Sequence, residues 1–255
     1  MNRVTGSFKA VIHIRQPIVT MLRVLVCALS LACAVQIPSA SALNASCQIG
    51  VISIAGDLFH IHKYGLFRFL DKHARVGVVG WDLDELIVSR VRAAAPGRTV
   101  QRVPLSGQDL ADSQWRYPNP YQRSTALKVF AQEVGSRVPC ARYVLVHRYG
   151  TVSNEFGIGI SNYQDGRRVY LFAMMYIRVY DGRTFELIKE GPAYNDNESS
   201  FERALHNPVG GPYRQLDAAA FPDKPSDVSR NSVLRDGVRA LLTSSLDMTL
   251  PEMLK

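Results

Sequence analysis

The stretch VYLFAMMYIRVYDGRTFELIK, Val169–Lys189, decides the fold. Apolar residues alternate through its first half, and Asp181-Gly182 separates this run from a second, shorter one. An Asp-Gly pair between alternating runs is the strongest short-range signal for a β-hairpin, because a type I′ turn needs positive φ at both central residues. The pattern predicts two strands joined by a two-residue loop, which would place Ile177 opposite Glu186.

The two faces of the first predicted strand differ in chemistry, since side chains alternate along a strand. A strand that is apolar on both faces is central in its sheet or covered on both sides. The aliphatic face, which we expect to meet the helices of the core, consists of Leu171, Ala173, Met175, Ile177 and Val179. The other face consists of Tyr170, Phe172, Met174, Tyr176 and Tyr180.

Three amphipathic helices are predicted by apolar residues at helical spacing, over 82–95, 124–134 and 231–250. Short apolar or alternating runs between them predict β-strands. A Pro- and Gly-rich segment at about 191–227 lacks either pattern. We therefore expect an α/β (α+β mixed) domain in which a single mixed β-sheet carries the helices and 191–227 is an irregular insertion.

The first forty residues are typical of an export signal. An apolar run, Val24–Val35, leads to the small-residue cleavage site Ala40-Ser41-Ala42. This run is shorter than the roughly 20 residues that a membrane-spanning helix needs. We expect 1–42 to be a secretory signal peptide, with Met21 as an alternative start, and 43–255 to be one periplasmic or secreted domain. An uncleaved membrane anchor is the alternative.

The charge of the chain is less unusual than it first looks. The formal net charge is +8, but four cations and no acids lie in residues 1–42, so the remainder carries +4. No run of Lys and Arg indicates a nucleic-acid-binding arm. We expect no nucleic-acid partner and no stable membrane span after signal cleavage.

Two cysteines, Cys47 and Cys140, lie beyond the predicted cleavage site. Each stands just before an apolar run, at 49–54 and 143–147. If these runs are neighbouring parallel strands, the two Cα atoms approach the usual disulfide separation of about 5.5–6 Å. An exported chain meets an oxidising compartment, which permits a disulfide. Two free thiols are the alternative.

Asp57, His60 and His62 are the candidate metal ligands. Histidines at i and i+2 of a strand point to the same face, and an Asp beside two such histidines is a plausible ligand set. The other interpretation places both histidines on the exposed face of an edge strand, with Phe59 and Ile61 pointing inward. We favour this second interpretation.

Other catalytic patterns are missing from the sequence. The later histidines His73, His147 and His206 stand alone, and the Asn-His pair of metallophosphoesterases does not occur. No G-x-S-x-G motif, P-loop or dinucleotide fingerprint is present. We therefore predict no catalytic residue and no cofactor. A metal-dependent hydrolase remains the alternative.

A carboxylate cluster, Asp82, Asp84 and Glu85, opens the first predicted helix. Asp82 with Glu85 three residues later matches a capping box, and acids in a first turn also complement the helix dipole. We expect Asp82 to cap this helix, rather than the cluster to form a site.

Aromatic residues supply the candidate binding surface, because rigid aromatics near Arg are enriched in binding hot spots. The other interpretation, which we favour, is a second small core beneath the 191–227 segment. The candidate binding residues are Trp115, Tyr117, Tyr121, Tyr170, Phe172, Tyr176 and Tyr180.

Four segments carry a resemblance to a known α/β module. Ala126–Val134 followed by Tyr143–Val146 looks like the helix and strand of the TolB amino-terminal domain. Val179–Thr184 looks like a hairpin of that module, and Leu246–Leu250 closes a similarly placed last helix. The same module occurs in the curli-secretion protein CsgG and in outer-membrane activators of penicillin-binding proteins.

A group of exported proteobacterial proteins shows a closer resemblance, which is carried by Ile49–Asp57 and Trp81–Asp84. The chain departs from the TolB/CsgG-like module in the 191–227 insertion and in lacking a lipid-anchoring cysteine. The resemblance implies non-enzymatic binding or assembly with another envelope protein, and it brings no catalytic residue with it.

Overall fold

The structure is a computed structural model that describes part of the chain. The described residues are 47–55, 58–65, 71–107, 109, 120–148, 157–163, 167–193 and 212–255, except for the side chains of 120–123. They belong to one compact unit, Ala45–Lys255. The predicted signal peptide, Asp57, Trp115, Tyr117, the side chain of Tyr121 and residues 194–211 lie outside the described part.

The described part contains ten strands and three α-helices. The strands are β1 (Ile49–Ile54), β2 (Leu58–Lys63), β3 (Lys72–Gly77), β4 (Val100–Arg102), β5 (Arg142–Arg148), β6 (Ile158–Tyr163), β7 (Arg168–Ala173), β8 (Met175–Asp181), β9 (Leu187–Pro192) and β10 (Tyr213–Leu216). The α-helices are α1 (Leu83–Ala94), α2 (Pro120–Gly135) and α3 (Ser232–Met253). Short 3-10 helices span Val79–Trp81, Ala218–Ala220 and Pro225–Arg230.

The strands form two mixed sheets of five strands each. Sheet A has the order β4-β1-β5-β8-β9, and sheet B has the order β10-β7-β6-β2-β3. In sheet A, β1 is parallel to both β4 and β5, and β1 and β5 are the two runs that follow Cys47 and Cys140. The prediction of an α/β fold is confirmed, but the prediction of a single sheet is wrong.

The predicted strand at 169–180 is in fact two strands, which explains the second sheet. The chain leaves sheet B after Ala173 and enters sheet A at Met175. The backbone N–H of Met174, between them, donates to the Gly157 carbonyl at 2.5 Å. The alternation continues across this break because both strands turn their aliphatic residues to the same core. Alternation with a period of two shows which face of a strand each side chain occupies. It does not show which sheet the strand joins.

The turn after β8 is wider than the predicted two-residue loop. β8 pairs with β9 so that Ile177 lies opposite Gly191, with an irregularity in register between Val179 and Tyr180. The expected pairing of Ile177 with Glu186 is therefore wrong.

The Asp-Gly pair serves this turn in a different way from a type I′ loop. Asp181 Oδ1 accepts the backbone N–H groups of Arg183 and Thr184 at 2.9 and 2.8 Å. Such local side-chain bonds replace the tight turn with an Asx-type turn. A Cβ atom on Gly182 would overlap the Cys140 carbonyl oxygen. The glycine therefore lets this turn pack closely against the backbone that precedes β5.

One core lies between the inner faces of the two sheets and the helices α1 and α3. The aliphatic residues of β7 and β8 lie in it, as predicted. A second cluster lies under α2 on the other side of sheet A, with Leu127, Ala131 and Tyr180 among its members. No α-helix in the described residues is long and apolar enough to span a bilayer.

Gly237 lets α3 approach sheet B closely. From the sequence alone, a glycine at this interior position should destabilise the helix by about 1 kcal/mol relative to Ala. In the structure it is buried, and a Cβ there would overlap the Cδ2 atom of Leu171 and lie 2.8 Å from Nη2 of Arg214. The missing side chain therefore creates the contact between α3 and β7.

The helix caps agree only partly with prediction. Asp82 takes a left-handed conformation with φ of 50° and makes no side-chain capping bond to α1, so the expected capping box is wrong. Asp84 instead accepts from the buried Ser53 hydroxyl at 2.6 Å, and both Asp84 and Glu85 pair with Arg102. These contacts tie the first turn of α1 to β1 and β4.

The structure joins Cys47 and Cys140 in a disulfide, with Cα atoms 4.7 Å apart. Cys47 leads into β1 and Cys140 into β5, and these strands are parallel neighbours with Ile49 opposite Arg142. The bridge lies in the cluster under α2, beside the ring of Tyr143.

Candidate functional site on the outer face of sheet B

The face of sheet B that points away from the shared core carries most of the polar chemistry predicted from the sequence. Phe59 and Ile61 of β2 point into the core, so the alternating residues occupy the opposite face. Strand register places the following side chains on this outer face: His60, His62, His73, Arg75, Ser161, Tyr163, Tyr170, Phe172 and Tyr213.

His60 and His62 share a face, as predicted, but not on an exposed edge strand. β2 is an interior strand that pairs with β6 on one side and β3 on the other. The two residues are only 4% and 7% exposed. The expectation of solvated histidines is therefore wrong, because β3 takes the edge position that the sequence pattern had given to β2.

A row of stacked rings runs along β2 and continues onto β6. The rings of His60 and His62 are nearly parallel with centroids 5.9 Å apart, and those of His62 and Tyr64 are 6.0 Å apart. Tyr64 then stacks on Tyr163 at 4.5 Å. These contacts restrict the rotation of each ring, so the row is a rigid feature of the outer face.

His73 does not stand alone. It lies directly opposite His62 in the β2–β3 ladder. The Nδ1 atoms of the two rings are 2.7 Å apart, and the rings meet edge to face at 4.8 Å. His73 is exposed while His62 is buried, so the pair reaches from solvent to the interior of the sheet.

Arg148 connects the two sheets at the other end of the row. Its Nε–H donates to the Ala55 carbonyl at 2.5 Å, and its Nη1 donates to His60 Nε2 at 3.4 Å. Arg148 is 7% exposed although it is the last residue of β5 in sheet A. A permanent cation therefore faces the ring nitrogen of His60.

Burial keeps both histidines neutral near pH 7. Burial, followed by the charge of Arg148, lowers the pKa of His60 to about 3. Burial, followed by the neighbouring His73 and Arg75, lowers the pKa of His62 to about 4. Neither ring is an imidazolium at neutral pH, so neither can act as an imidazolium general acid.

The tyrosines of the row stay protonated for the same reason. Burial raises the pKa of Tyr163 and of Tyr64 above the ordinary phenol value, and each phenol also bonds to the other. A phenolate nucleophile or metal ligand is disfavoured at either position.

The hydrolase hypothesis finds little support in this geometry. It needs a cation bound by Asp57, His60 and His62, but Asp57 lies outside the described residues. The guanidinium of Arg148 lies at the Nε2 atom of His60 and would repel a metal ion there. Among the described residues, no group of three or more His, Cys, Asp and Glu side chains is placed to hold a metal ion.

The predicted aromatic face is divided between two places. Tyr170 and Phe172 lie with Met174 in a small cluster on sheet B, beside Tyr163 and Tyr213. Since β10 belongs to the 191–227 segment and pairs with β7, part of that segment extends sheet B beside this cluster and brings Tyr213 to it.

The remaining aromatics of that face belong to sheet A. Tyr180 is 1% exposed and lies under α2. Tyr176 is half-buried, with its ring 5.4 Å from His147 and 5.6 Å from the guanidinium carbon of Arg178. Of the four candidate aromatics from this stretch, Tyr176 is the one that solvent reaches appreciably.

Sequence reasoning missed Tyr64 and Tyr163 as members of the row, and His73 as the partner of His62. Two of them carry a readable signal, because His60-x-His62-x-Tyr64 repeats with period two and His73 follows at hairpin distance. Arg148 gives no such signal, because its role depends on how the two sheets meet.

No protein-family model matches the chain, and no curated protein sequence matches it. Four solved chains match, among them the three that follow. The LpoB C-terminal domain from Salmonella enterica has 12% identity, a TM-score of 0.24 and coverage of 60% of this chain and 84% of that one. Lipoprotein GNA1162 from Neisseria meningitidis has 12% identity, a TM-score of 0.29 and coverage of 64% and 94%.

The third structure, hypothetical protein CT253 from Chlamydia trachomatis, has 11% identity, a TM-score of 0.28 and coverage of 80% of this chain and 99% of that one. All three TM-scores lie below 0.5, so these likenesses carry no inference about the chain. None of the three is described as a TolB or CsgG domain, and the resemblance to that module stays a prediction.

Proposed function

We propose that the chain is an exported, non-enzymatic protein of the periplasm that binds or assembles another polypeptide component of the cell envelope. The observation that carries the proposal is the open edge of sheet A. Strand β9 pairs with β8 on one side, and it has no second strand neighbour in the described part of the chain.

The exposed edge carries adjacent apolar side chains. Leu187 and Ile188 of β9 are 41% and 44% exposed. An edge strand offers unpaired backbone N–H and C=O groups, to which a partner can add a strand. Large apolar side chains on such an edge supply contact area for that partner.

The edge is held in place by the rest of the fold. Lys189 Nζ donates to the Glu252 carbonyl at 2.7 Å, in the last turn of α3. Glu190 pairs with Arg178 of β8 at 3.0 Å. A partner therefore meets an ordered strand, which lowers the entropic cost of binding.

Export is supported by the disulfide between Cys47 and Cys140. Disulfides persist in oxidising compartments such as the bacterial periplasm and are rare in the cytosol. The predicted signal peptide at 1–42 agrees with this placement.

The test is capture from solubilised cell envelopes with matched variants. The double variant Leu187→Glu/Ile188→Glu places two like charges on the edge, and Val129→Glu changes an apolar residue that is 55% exposed on α2. We expect a specific partner to bind wild type and the Val129 variant and to be lost from the edge variant, with unchanged thermal melting of all three. Equal capture by the edge variant contradicts the proposal.

A further inference from the structure

We propose that His62 and His73 form a chelating pair for a divalent late transition metal ion such as Cu²⁺. The pair is set by the backbone, because the two residues lie directly opposite each other in the antiparallel ladder of β2 and β3. Residues so placed have Cβ atoms about 4.5–5.5 Å apart, within reach of one shared ligand. The inference does not depend on the binding role of β9.

The ring nitrogens already converge. The Nδ1 atoms lie 2.7 Å apart and the rings meet at an interplanar angle of 73°. Two imidazole nitrogens that bind one ion at roughly 2.0–2.1 Å each lie near 3 Å from each other in tetrahedral or square-planar geometry. The ion would replace the hydrogen bond between the two Nδ1 atoms, and the exposed ring of His73 would turn until both lone pairs point at the ion.

Imidazole binds a metal ion through an unprotonated ring nitrogen. Binding through both Nδ1 atoms therefore needs the ring proton of each histidine to sit on Nε2.

The surroundings hold one ligand rigid and leave the other accessible. His62 is buried and stacks between His60 and Tyr64, whereas His73 is exposed and open to an ion from solvent. Asp71 acts electrostatically on Tyr64 and Arg75 acts on His62, so charges of both signs lie in the surroundings of the pair.

His60 is excluded from the pair by its own neighbour. Its Nε2 atom faces the guanidinium of Arg148 at 3.4 Å, and a second cation there would be repelled. Since no group of three or more His, Cys, Asp and Glu side chains among the described residues is placed to hold a metal, solvent completes the coordination. Neutral nitrogen ligands with water favour Cu²⁺ over the other divalent ions of the first row.

The test uses chelator-stripped full-length protein and Cu²⁺ alone, by calorimetry and electron paramagnetic resonance. We expect one ion per chain and hyperfine coupling to two nitrogens. His73→Gln and His62→Gln should weaken binding by at least about 10-fold, the lower end of what even an outer-shell change costs. Lys72→Gln, the matched control at an exposed residue of β3, should bind like wild type.

Circular dichroism melting identifies any variant that fails to fold. His73→Gln is the more informative variant, because His73 is exposed and its replacement should leave the fold intact. Equal binding by wild type and His73→Gln would show adventitious binding elsewhere and overturn the proposal. An equal loss in Lys72→Gln would overturn it as well, since the loss would then not depend on an imidazole ligand. The Leu187→Glu/Ile188→Glu variant should bind Cu²⁺ normally, which separates this result from the fate of the proposed function.

Discussion

Arg148 and His60 belong to different sheets, yet Nη1 of Arg148 lies 3.4 Å from Nε2 of His60. The same side chain donates to the Ala55 carbonyl at the end of β1. One buried guanidinium therefore bonds to both sheets at the place where their strands diverge.

Replacement of Arg148 by Ala should destabilise the protein by about 2–4 kcal/mol, because a buried carbonyl loses a charge-assisted hydrogen bond and a cavity remains. The free energy of unfolding in urea measures this loss. Arg168→Ala is the control, since Arg168 is exposed at the start of β7, and it should change stability by no more than about 0.5 kcal/mol. Equal stability of the two variants would show that Arg148 does not join the sheets.

Gly237→Ala should destabilise the protein, although Ala is the better helix former by about 1 kcal/mol. The new methyl group would overlap Leu171, which is fully buried and has little room to move. Overpacking of this kind costs about 1–3 kcal/mol. Gly77→Ala is the control because nothing lies within 4 Å of its Cβ position. A more stable Gly237→Ala variant would contradict the close approach of α3 to β7.

The disulfide should leave no free thiol at Cys47 or Cys140 in denatured, unreduced protein. It closes a loop with a sequence separation of 93, so its reduction should lower the free energy of unfolding by about 4–5 kcal/mol in the chain-entropy model. Thiol titration and urea unfolding with and without reductant measure the two effects. Two reactive thiols at these positions would contradict the oxidising compartment.

The turn after β8 should depend on the carboxylate of Asp181. Its Oδ1 atom accepts three hydrogen bonds, two of them from the backbone N–H groups of Thr184 and Arg183. Asp181→Ala should destabilise the protein by about 1 kcal/mol, as loss of a helix cap does. Thr184→Val, which removes only the hydroxyl bond, should cost less. Asp181→Asn keeps a side-chain oxygen that accepts the backbone bonds and should also cost less. Equal stability of wild type and Asp181→Ala would contradict this turn.

The same contacts give a pH dependence with a defined sign. The backbone N–H groups of Thr184 and then Arg183 lower the pKa of Asp181 below its ordinary value. The unfolded chain therefore binds the proton more readily, and the stabilisation is present above the ordinary carboxyl pKa and is lost as pH falls through the lower folded value. A carbon-detected NMR titration of the Asp181 carboxyl measures this pKa, and an unshifted value would contradict the turn geometry.

The sequence predicts local features of this fold better than their assembly. The alternation in 169–180 correctly separates aliphatic core residues from aromatic ones, because period two depends only on strand geometry. It does not show the break at Met174, since both strands turn the same side inward. The two-sheet architecture depends on which strands pair, and pairing is a long-range property.

The candidate site shows the same division. The shared face of His60 and His62 follows from their spacing. Their burial depends on β3, which pairs with β2 and takes the edge of sheet B in its place. The contact of His62 with His73 needs the register of that hairpin. Arg148 is 88 residues from His60 in sequence, and no local pattern joins them.

The most direct test of the proposed binding role is photo-cross-linking from the edge of sheet A in intact envelopes. A photoreactive residue at Ile188 should form one discrete adduct with a second polypeptide, and the same residue at the exposed Val129 of α2 should form none. Mass spectrometry of the adduct would place the contact within Leu187–Pro192. The same pattern of adducts from both positions, or no adduct from Ile188, would contradict a partner at β9.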